Sequence, residues 1–555
     1  MIDEIDFSKA YEYVVQVYHE TLGDFGEAKL KFGANKMAYV HFKNAFANRR
    51  VAEGKVYDVL KARAESGEYF TLFKCKFWGF VLHADFVVDG DVEDAFNTIE
   101  IRYSDISEWF TRWQHLDGEL GKEIKWVNIP QQISVVVHTK DEHFSLKTET
   151  VGHSEKIGED YIIHEHIAFI FEKMIQEFRI VDVKSKASEL SNLLSILVAC
   201  PISIVSVRVT GIDRRPYSVY FGAFKKAESD SSRDGFSNKY LASKEDIDGK
   251  WPTLIQRYYE SKYRKISWVR LSGMQRYEGF WEYKTLGYVS LLDKYVSQTS
   301  LGHLRPTIPA KKKLSQLSRA IKKTKNALSD DQHDEVMALV AKYFSGERKL
   351  YFSEQFDYAI GKSDPDIIKV INISKKDFMY IKEVRDAIAH GDAIDFLGND
   401  LTRVSSIIDK IALLLTYFAF VDFGLSADDF KKCLRGNLNR LSLNPGLNKM
   451  HLARITNTAA FYDVSKKQFD KISKLKNSKI SLCFTRGPRG SIKYSEKYTE
   501  MSEQWFRGHH KKSGQSTFED LFGVSKGQVI SSGATYIEHG EEYLALHQAY
   551  VISSA

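Results

Sequence analysis

Cysteine is scarce in this chain. Four residues, Cys75, Cys200, Cys433 and Cys483, are scattered over 555 positions, and no two stand at a metal-ligand spacing. No zinc site is readable, and each cysteine is expected as a small core or surface side chain. Long hydrophobic runs are missing too. The longest strongly apolar stretch, Ile411 to Val421, falls well short of the roughly 20 residues that a membrane-spanning helix needs. The first residues, Met1 to Asp6, lack the basic and apolar regions of a signal peptide. The expectation is a cytoplasmic protein with no membrane partner. Also absent are a glycine-rich phosphate loop, a Ser-His-Asp array and a paired-carboxylate nuclease signature. Any catalytic reading therefore rests on other residues.

The remaining composition is that of an ordinary globular protein. With 43% hydrophobic and 27% charged residues, large-scale disorder is not expected. At about 150 residues per domain, the length suggests three or four units. Charge is unevenly divided. Residues 1–250 hold 32 Lys/Arg against 40 Asp/Glu, residues 251–430 hold 27 against 23, and residues 431–555 hold 20 against 10. An acidic first half thus precedes a mildly basic middle and a strongly basic tail. Basic charge is the electrostatic footprint of a nucleic-acid partner, although a solvated basic surface also explains the tail.

Residues 1–250 read as a β-rich domain. Stretches rich in Val, Ile, Phe and Tyr recur at 69–77, 97–103, 132–138, 162–171, 202–209 and 217–224, separated by Gly, Asp and Ser clusters. One helix, 187–198, interrupts them, and a polar linker, 228–249, closes the domain. Nothing here suggests catalysis. His164 and His166 flank Glu165 on a strand and share a face, which suits a metal. No third ligand stands nearby, so an exposed strand face is the preferred reading, and no metal or cofactor is expected.

The pattern changes after residue 250. Phe280, Leu286, Val289, Leu292 and Val296 recur at helical spacing, and two further helical stretches fill 310–344, broken at Ser329-Asp330-Asp331. A broad stripe from Leu401 to Phe418, with Asp400 as its N-cap, is the strongest helical signal in the chain. Between them, Phe378, Ile381, Val384 and Ile388 mark one face of a helix over 374–390, which Gly391 would end. Residues 251–430 therefore read as an all-α bundle.

The end of the 374–390 helix carries Glu383-Val384-Arg385-Asp386-Ala387-Ile388-Ala389-His390-Gly391. Arginine offers phosphate a fixed fork of donors and stays charged. Histidine can take a proton from a 2′-hydroxyl or return one to a leaving oxygen. Held on one phosphodiester, the two cleave RNA without a metal. Spacing alone is weak support. With 25 Arg and 17 His in 555 positions, chance gives about 0.8 Arg-x4-His pairs, and the chain has one. Residues five apart on a helix are separated by roughly 140°. Convergence then requires His390 to leave the helix at its end, or a second copy to face the first. Asp386 is placed to orient either His390 or Arg385.

The run Val384 to Gly391 resembles the Arg-polar-x3-His signature of HEPN ribonuclease domains, with Asp386 in the polar slot. Leu291-Leu292-Asp293-Lys294-Tyr295 resembles the first HEPN helix, with Asp293 where glutamate is more usual. Upstream, the segments Ile99 to Trp109 and Leu190 to Pro201 look like parts of an ApeA-type N-terminal domain, which precedes HEPN in bacterial anti-phage abortive-infection proteins. The resemblance covers roughly residues 1–430. It implies a metal-independent endoribonuclease acting as a homodimer with paired sites at the interface, Arg385 on the scissile phosphate and His390 in proton transfer. It also implies a sensor or regulatory role for the N-terminal domain and a phage-derived activator as a further partner. A non-catalytic HEPN module that binds nucleic acid or a partner protein is the alternative. The fold class expected is multidomain α+β: a β-rich domain at 1–250, an all-α HEPN bundle at 251–430 and a basic C-terminal extension at 431–555.

In that extension, Arg486, Arg489 and Lys493 surround a turn that suits RNA backbone and carries no catalytic signature. His509-His510-Lys511-Lys512 also suits phosphate, or a flexible basic loop. Lys311, Lys312, Lys313, Arg319, Lys322, Lys323 and Lys325 recur along one stretch, where a solvated face is the default and guidance of RNA the alternative.

Overall fold

The structure is a computed structural model. It describes residues 4–34, 36–43, 55–78, 81–111, 116–118, 122–123, 125–226, 239–306, 319–323, 329–344, 347–392, 394, 400–435, 438–475, 481–487, 490–509 and 517–553. The chain divides into two compact units, residues 1–363 with 373–446, and residues 364–372 with 447–555.

The first unit begins with six antiparallel strands, β1 (Ala10–His19), β2 (Gly23–Gly33), β3 (Lys36–Phe42), β4 (Val56–Ala64), β5 (Tyr69–Trp78) and β6 (Val81–Asp89). They pair in the order β6-β3-β2-β1-β4-β5, and β5 pairs back onto β6, so the six close into a barrel. Closure removes the open edges that invite aggregation. Alternation along each strand decides which side is inside. On β2, Phe25, Ala28, Leu30 and Phe32 are buried while Glu27, Lys29 and Lys31 carry charge between them.

A second set continues from the barrel: β7 (Phe96–Tyr103), β8 (Ser134–His138), β9 (His143–Ile157), β10 (Asp160–Lys173), β11 (Ile204–Gly211) and β12 (Pro216–Phe221), in the order β8-β9-β10-β7-β11-β12, with β12 joined to β6. All six expected strands are present, as is the expected helix, which starts earlier, as α1 (Ile180–Val198). Its Ala187 carbonyl accepts from the Tyr103 hydroxyl on β7 at 2.7 Å. The fold is mixed α+β, with a β-rich N-terminal region followed by a mostly helical one.

Helices follow: α2 (Trp251–Glu260), α3 (Val269–Arg276), α4 (Trp281–Thr299), α5 (Asp330–Phe344), α6 (Phe352–Lys362), α7 (Lys375–His390) and α8 (Asp400–Asp422). Of these, α4, α6, α7 and α8 pack together, with α4 touching each of the others. Helix α8 is long and apolar enough by composition to cross a membrane. Its apolar side chains are instead spent on the core: Ile407, Ile411, Leu414, Leu415 and Phe418 are buried, and Phe418 stacks on Tyr295 of α4 at 4.7 Å.

The two units part at 363/364, 372/373 and 446/447, and not at residue 250 or 430, the boundaries expected from the sequence. Buried polar bonds explain why 250 is not a break. Arg264 Nη2 donates to Glu142 Oε1 at 2.5 Å, Arg276 Nη2 to Ser191 at 2.9 Å, and Asn439 Nδ2 to the Val198 carbonyl at 3.1 Å. Removing one partner of such a bond strands the other away from water, at a cost of about 1–3 kcal/mol.

The described residues of the second unit form a folded α/β module. Strands β13 (Ala460–Asp463), β14 (Leu482–Arg486), β15 (Ile492–Tyr494), β16 (Val529–Ser532), β17 (Thr535–His539), β18 (Glu542–Leu546) and β19 (Ala549–Ser553) form two sheets, β15-β14-β19-β16 and β13-β17-β18. The four-stranded sheet is apolar on both faces. Leu482, Phe484 and Val551 join one core with Phe469 and Ile472 of α9 (Lys466–Leu475), while Cys483, Tyr550 and Ile552 join another with Phe522.

Candidate active site

Helix α7 is built by its ends and its apolar face. The Ser374 side chain accepts from the Asp377 amide and caps the first turn. Phe378, Ile381 and Val384 are buried, with Phe378 stacked on Phe356 of α6 at 4.0 Å. Each such side chain contributes roughly 1.5–3 kcal/mol by leaving water. Ile388, the fourth residue of the expected stripe, is only half-buried. Gly391 ends the helix in the left-handed region, φ +74°. Its amide donates to Ile388, and the Asp392 amide donates to Ala387 at 2.9 Å. This Schellman arrangement favours a residue without Cβ.

Arg385 sits at the edge of the buried face, its side chain 20% exposed. Its Nη2 lies 3.6 Å from Asp293 Oδ2 on α4, and its Nε 3.1 Å from Asp386 Oδ1. Nε is shielded from solvent and makes no hydrogen bond, so charge attraction rather than a directed bond holds the Asp386 pair. The guanidinium also lies over the Phe352 ring at 5.6 Å. Asp386 accepts from Lys382 Nζ at 2.9 Å. Two cations and two carboxylates thus neutralise one another. Burial raises the Asp293 carboxyl above its usual range, with Arg385 the largest opposing influence. Nη1 of Arg385 enters neither ion pair.

His390 occupies the last helical position and is exposed, with no hydrogen bond or ion pair to another described residue. It does not leave the helix, so one chain does not bring Arg385 and His390 together. Five residues of helix separate them by roughly 7.5 Å of rise and 140° of rotation. Asp386 forms ion pairs with Arg385 and Lys382, and no hydrogen bond or ion pair joins it to His390.

Two members of this cluster were not picked out from the sequence. Lys382 has a local signal, since it stands four residues before Asp386 on the same helix. Phe352 has none, because it comes from α6, whose place beside α7 is a tertiary fact.

The other candidates are dispersed. Arg486 and Lys493 are exposed near the ends of β14 and β15. Arg486 pairs with Ile492, and Lys493 with Thr485, so alternation places the two basic side chains on opposite faces of the ribbon. Arg489, His510, Lys511 and Lys512 lie outside the described residues, as do Lys311, Lys312, Lys313 and Lys325; Arg319, Lys322 and Lys323 are exposed. Of the linker expected at 228–249, residues 228–238 are also outside them, while 239–249 are described and bury Tyr240, Leu241, Ala242 and Ile247. On β10, His164 is 3.6 Å from Glu155, and His166 is buried rather than on an exposed face. No group of three metal-binding side chains occurs among the described residues.

Comparison with known proteins gives one match. Residues 20–258 match the family model of ApeA N-terminal domain 1. No curated protein and no solved structure matches the chain. The matched span covers the barrel from β2 onward, the second set of strands, α1 and most of α2. Residues 20–258 are thus similar to an ApeA N-terminal domain, and such a domain suggests an ApeA-like anti-phage protein.

Proposed function

We propose that the protein is a HEPN-class endoribonuclease of anti-phage defence, using Arg385 and His390. The observation that carries the reading is the end of α7, where a half-buried arginine is fixed by carboxylates and an exposed histidine follows on the last turn. In this mechanism Arg385 holds a non-bridging phosphate oxygen and stabilises charge as the phosphorus becomes five-coordinate. Fixed donors of this kind contribute several kcal/mol. The 2′-hydroxyl loses its proton, the 2′-oxygen bonds to phosphorus, and the 5′-oxygen leaves and is protonated. His390 serves one of these proton transfers. The products are a 2′,3′-cyclic phosphate and a 5′-hydroxyl, and no step is assigned to a metal. Because the two side chains diverge on one helix, the working site is shared by two copies across a two-fold axis.

A second reading, a non-catalytic module that binds nucleic acid or a partner protein, is favoured by the neutralisation of Arg385 through Asp293 and Asp386. One comparison separates the two: growth arrest and total RNA integrity in cells expressing wild type or His390→Ala, followed by cleavage assays of both proteins in excess EDTA. Loss of cleavage in a folded His390→Ala protein, with wild-type activity persisting in EDTA, is the expected result. Full activity of His390→Ala overturns the catalytic reading.

A further inference from the structure

The hairpin that joins β8 to β9 sets two histidines directly opposite each other. His138 ends β8, His143 opens β9, and the two are partners in the ladder. Their rings meet edge to face with centroids 4.2 Å apart. Nδ1 of His138 lies 2.6 Å from Nδ1 and 3.3 Å from Nε2 of His143. The backbone explains this approach. The His138 amide donates to Gln256 Oε1 on α2 at 3.1 Å, and the His138 carbonyl accepts from Gln256 Nε2 at 2.8 Å. Both backbone groups of His138 therefore point away from β9. That makes the histidines a non-hydrogen-bonded ladder pair, the kind whose side chains stand closest.

Both imidazoles ride on anchored backbone. Gln256 clamps the His138 end, and its Nε2 also donates to Glu260 at 2.8 Å. On the other side, Glu142, one residue before His143, accepts from Arg264 Nη2 at 2.5 Å and pairs with Lys186. Phe144, one residue after, packs edge-on against Tyr259 at 4.9 Å. A donor pair held in this way loses little freedom when it takes a ligand. His138 is exposed, so the pair is reached from solvent.

Two imidazoles this close share either a proton or a metal ion. Neutral imidazole suits Zn²⁺, Cu²⁺ and Ni²⁺, whereas Mg²⁺ and Ca²⁺ take oxygen ligands. With Zn–N bonds of about 2.0–2.1 Å, two nitrogens on one tetrahedral ion stand roughly 3.3 Å apart. His138 Nδ1 and His143 Nε2 are separated by 3.3 Å. We propose that His138 and His143 form a two-imidazole site for a divalent transition-metal ion of this class. No group of three metal-binding side chains occurs among the described residues, so an ion held here keeps positions open to water or to a further ligand. It ties β8 to β9 beside the point where α2 is clamped to the strand. The site does not rest on the proposed ribonuclease reading, in which no step is assigned to a metal.

Titration of the full chain with Zn²⁺ against a chromophoric chelator tests this. The chain has 17 histidines and four cysteines, so weak background binding is expected and the readout is a difference between proteins. Wild type should bind one equivalent that His138→Ala and His143→Ala each weaken by at least about tenfold, and excess Mg²⁺ should not displace it. Electron paramagnetic resonance with one equivalent of Cu²⁺ should show coupling to two imidazole nitrogens in wild type and lose it in both variants. His138 is exposed, so His138→Ala should melt as wild type does without metal; His143→Asn, which keeps a polar side chain, replaces His143→Ala if the latter melts early. Equal zinc binding by wild type and the folded variants overturns the proposal. So does failure of wild type to bind zinc at about 1 mM, which would leave the pair sharing only a proton.

Discussion

Asp386→Asn is the substitution that best tests how the α7 centre is wired. The carboxylate lies 3.1 Å from Arg385 Nε and 2.9 Å from Lys382 Nζ, and no hydrogen bond or ion pair joins it to His390. Its side chain is 39% exposed, so solvent screens both pairs. Partly exposed ion pairs are worth about 0.2–1 kcal/mol each, and losing two costs about 1 kcal/mol together. If that cost falls on the position of Arg385, cleavage slows by about fivefold. Removing the guanidinium in Arg385→Ala also removes the phosphate donors, with an expected loss of about 10²–10³-fold.

Single-turnover cleavage of an end-labelled RNA over a range of pH gives the two readouts needed. Asp386→Asn should show the modest fall in rate with an unshifted pH profile, because the carboxylate acts on a group that does not titrate in that range. A pH profile displaced in Asp386→Asn, or a loss as large as that of His390→Ala, would mean that Asp386 acts through the imidazole. The assignment of Asp386 to Arg385 would then be wrong.

Three further outcomes are expected. A heterodimer of one Arg385→Ala subunit and one His390→Ala subunit should cleave RNA while each parent homodimer does not; an active enzyme that light scattering shows to be strictly monomeric would sink the shared site. Gly391→Ala should destabilise the end of α7 by about 1 kcal/mol, read as faster hydrogen exchange at the Gly391 and Asp392 amides; a Cβ there meets nothing within 4 Å, so the cost is that of the left-handed backbone alone. Burial pushes the Asp409 carboxyl up to about 6, against the opposing charges of Lys284 and Arg440. A raised carboxyl favours folding only while protonated: its stabilising effect is complete below the unfolded value near 4 and is lost as pH rises through about 6. Asp409→Asn should therefore raise the denaturation midpoint at pH 7 and barely change it at pH 4, and equal shifts at both would refute the assignment.

Legibility in the sequence followed how local each cause was. Helices α7 and α8 were readable because a single buried face writes a 3.6-residue period, and Gly391 was readable because few other residues hold its backbone angle. Of the large sheets, β5, β7, β8 and β10 to β12 were found, while β1 to β4, β6 and β9 were not. On β2 the outward Glu27, Lys29 and Lys31 dilute the apolar signal to alternate residues. Closure of the barrel depends on β1 meeting β4, with Val15 opposite Ala64, a pairing that neither strand announces. The C-terminal module was harder still. Its strands are three to five residues long, and β14 pairs in parallel with β19 across more than sixty residues, so basic composition was the only signal within reach.

The candidate centre follows the same rule. Arg385, Asp386 and His390 were found because they are neighbours in the chain, and the role of Asp386 stayed open because one helix offers it several partners. In the structure its ion pairs are with Arg385 and Lys382. Helix α4 brings Asp293 to one side of Arg385, and α6 brings Phe352 beneath it, which turns the guanidinium along the buried face of α7. Asp386 lies one residue beyond and is drawn between Arg385 and Lys382. His390, a full turn later and past the last buried apolar residue, is exposed and makes no hydrogen bond or ion pair with another described residue. Under the proposed ribonuclease reading, a helix end that fixes its arginine against its own core and leaves its histidine in solvent is half of a cleavage site, and the heterodimer experiment tests whether a second copy of the same surface supplies the other half.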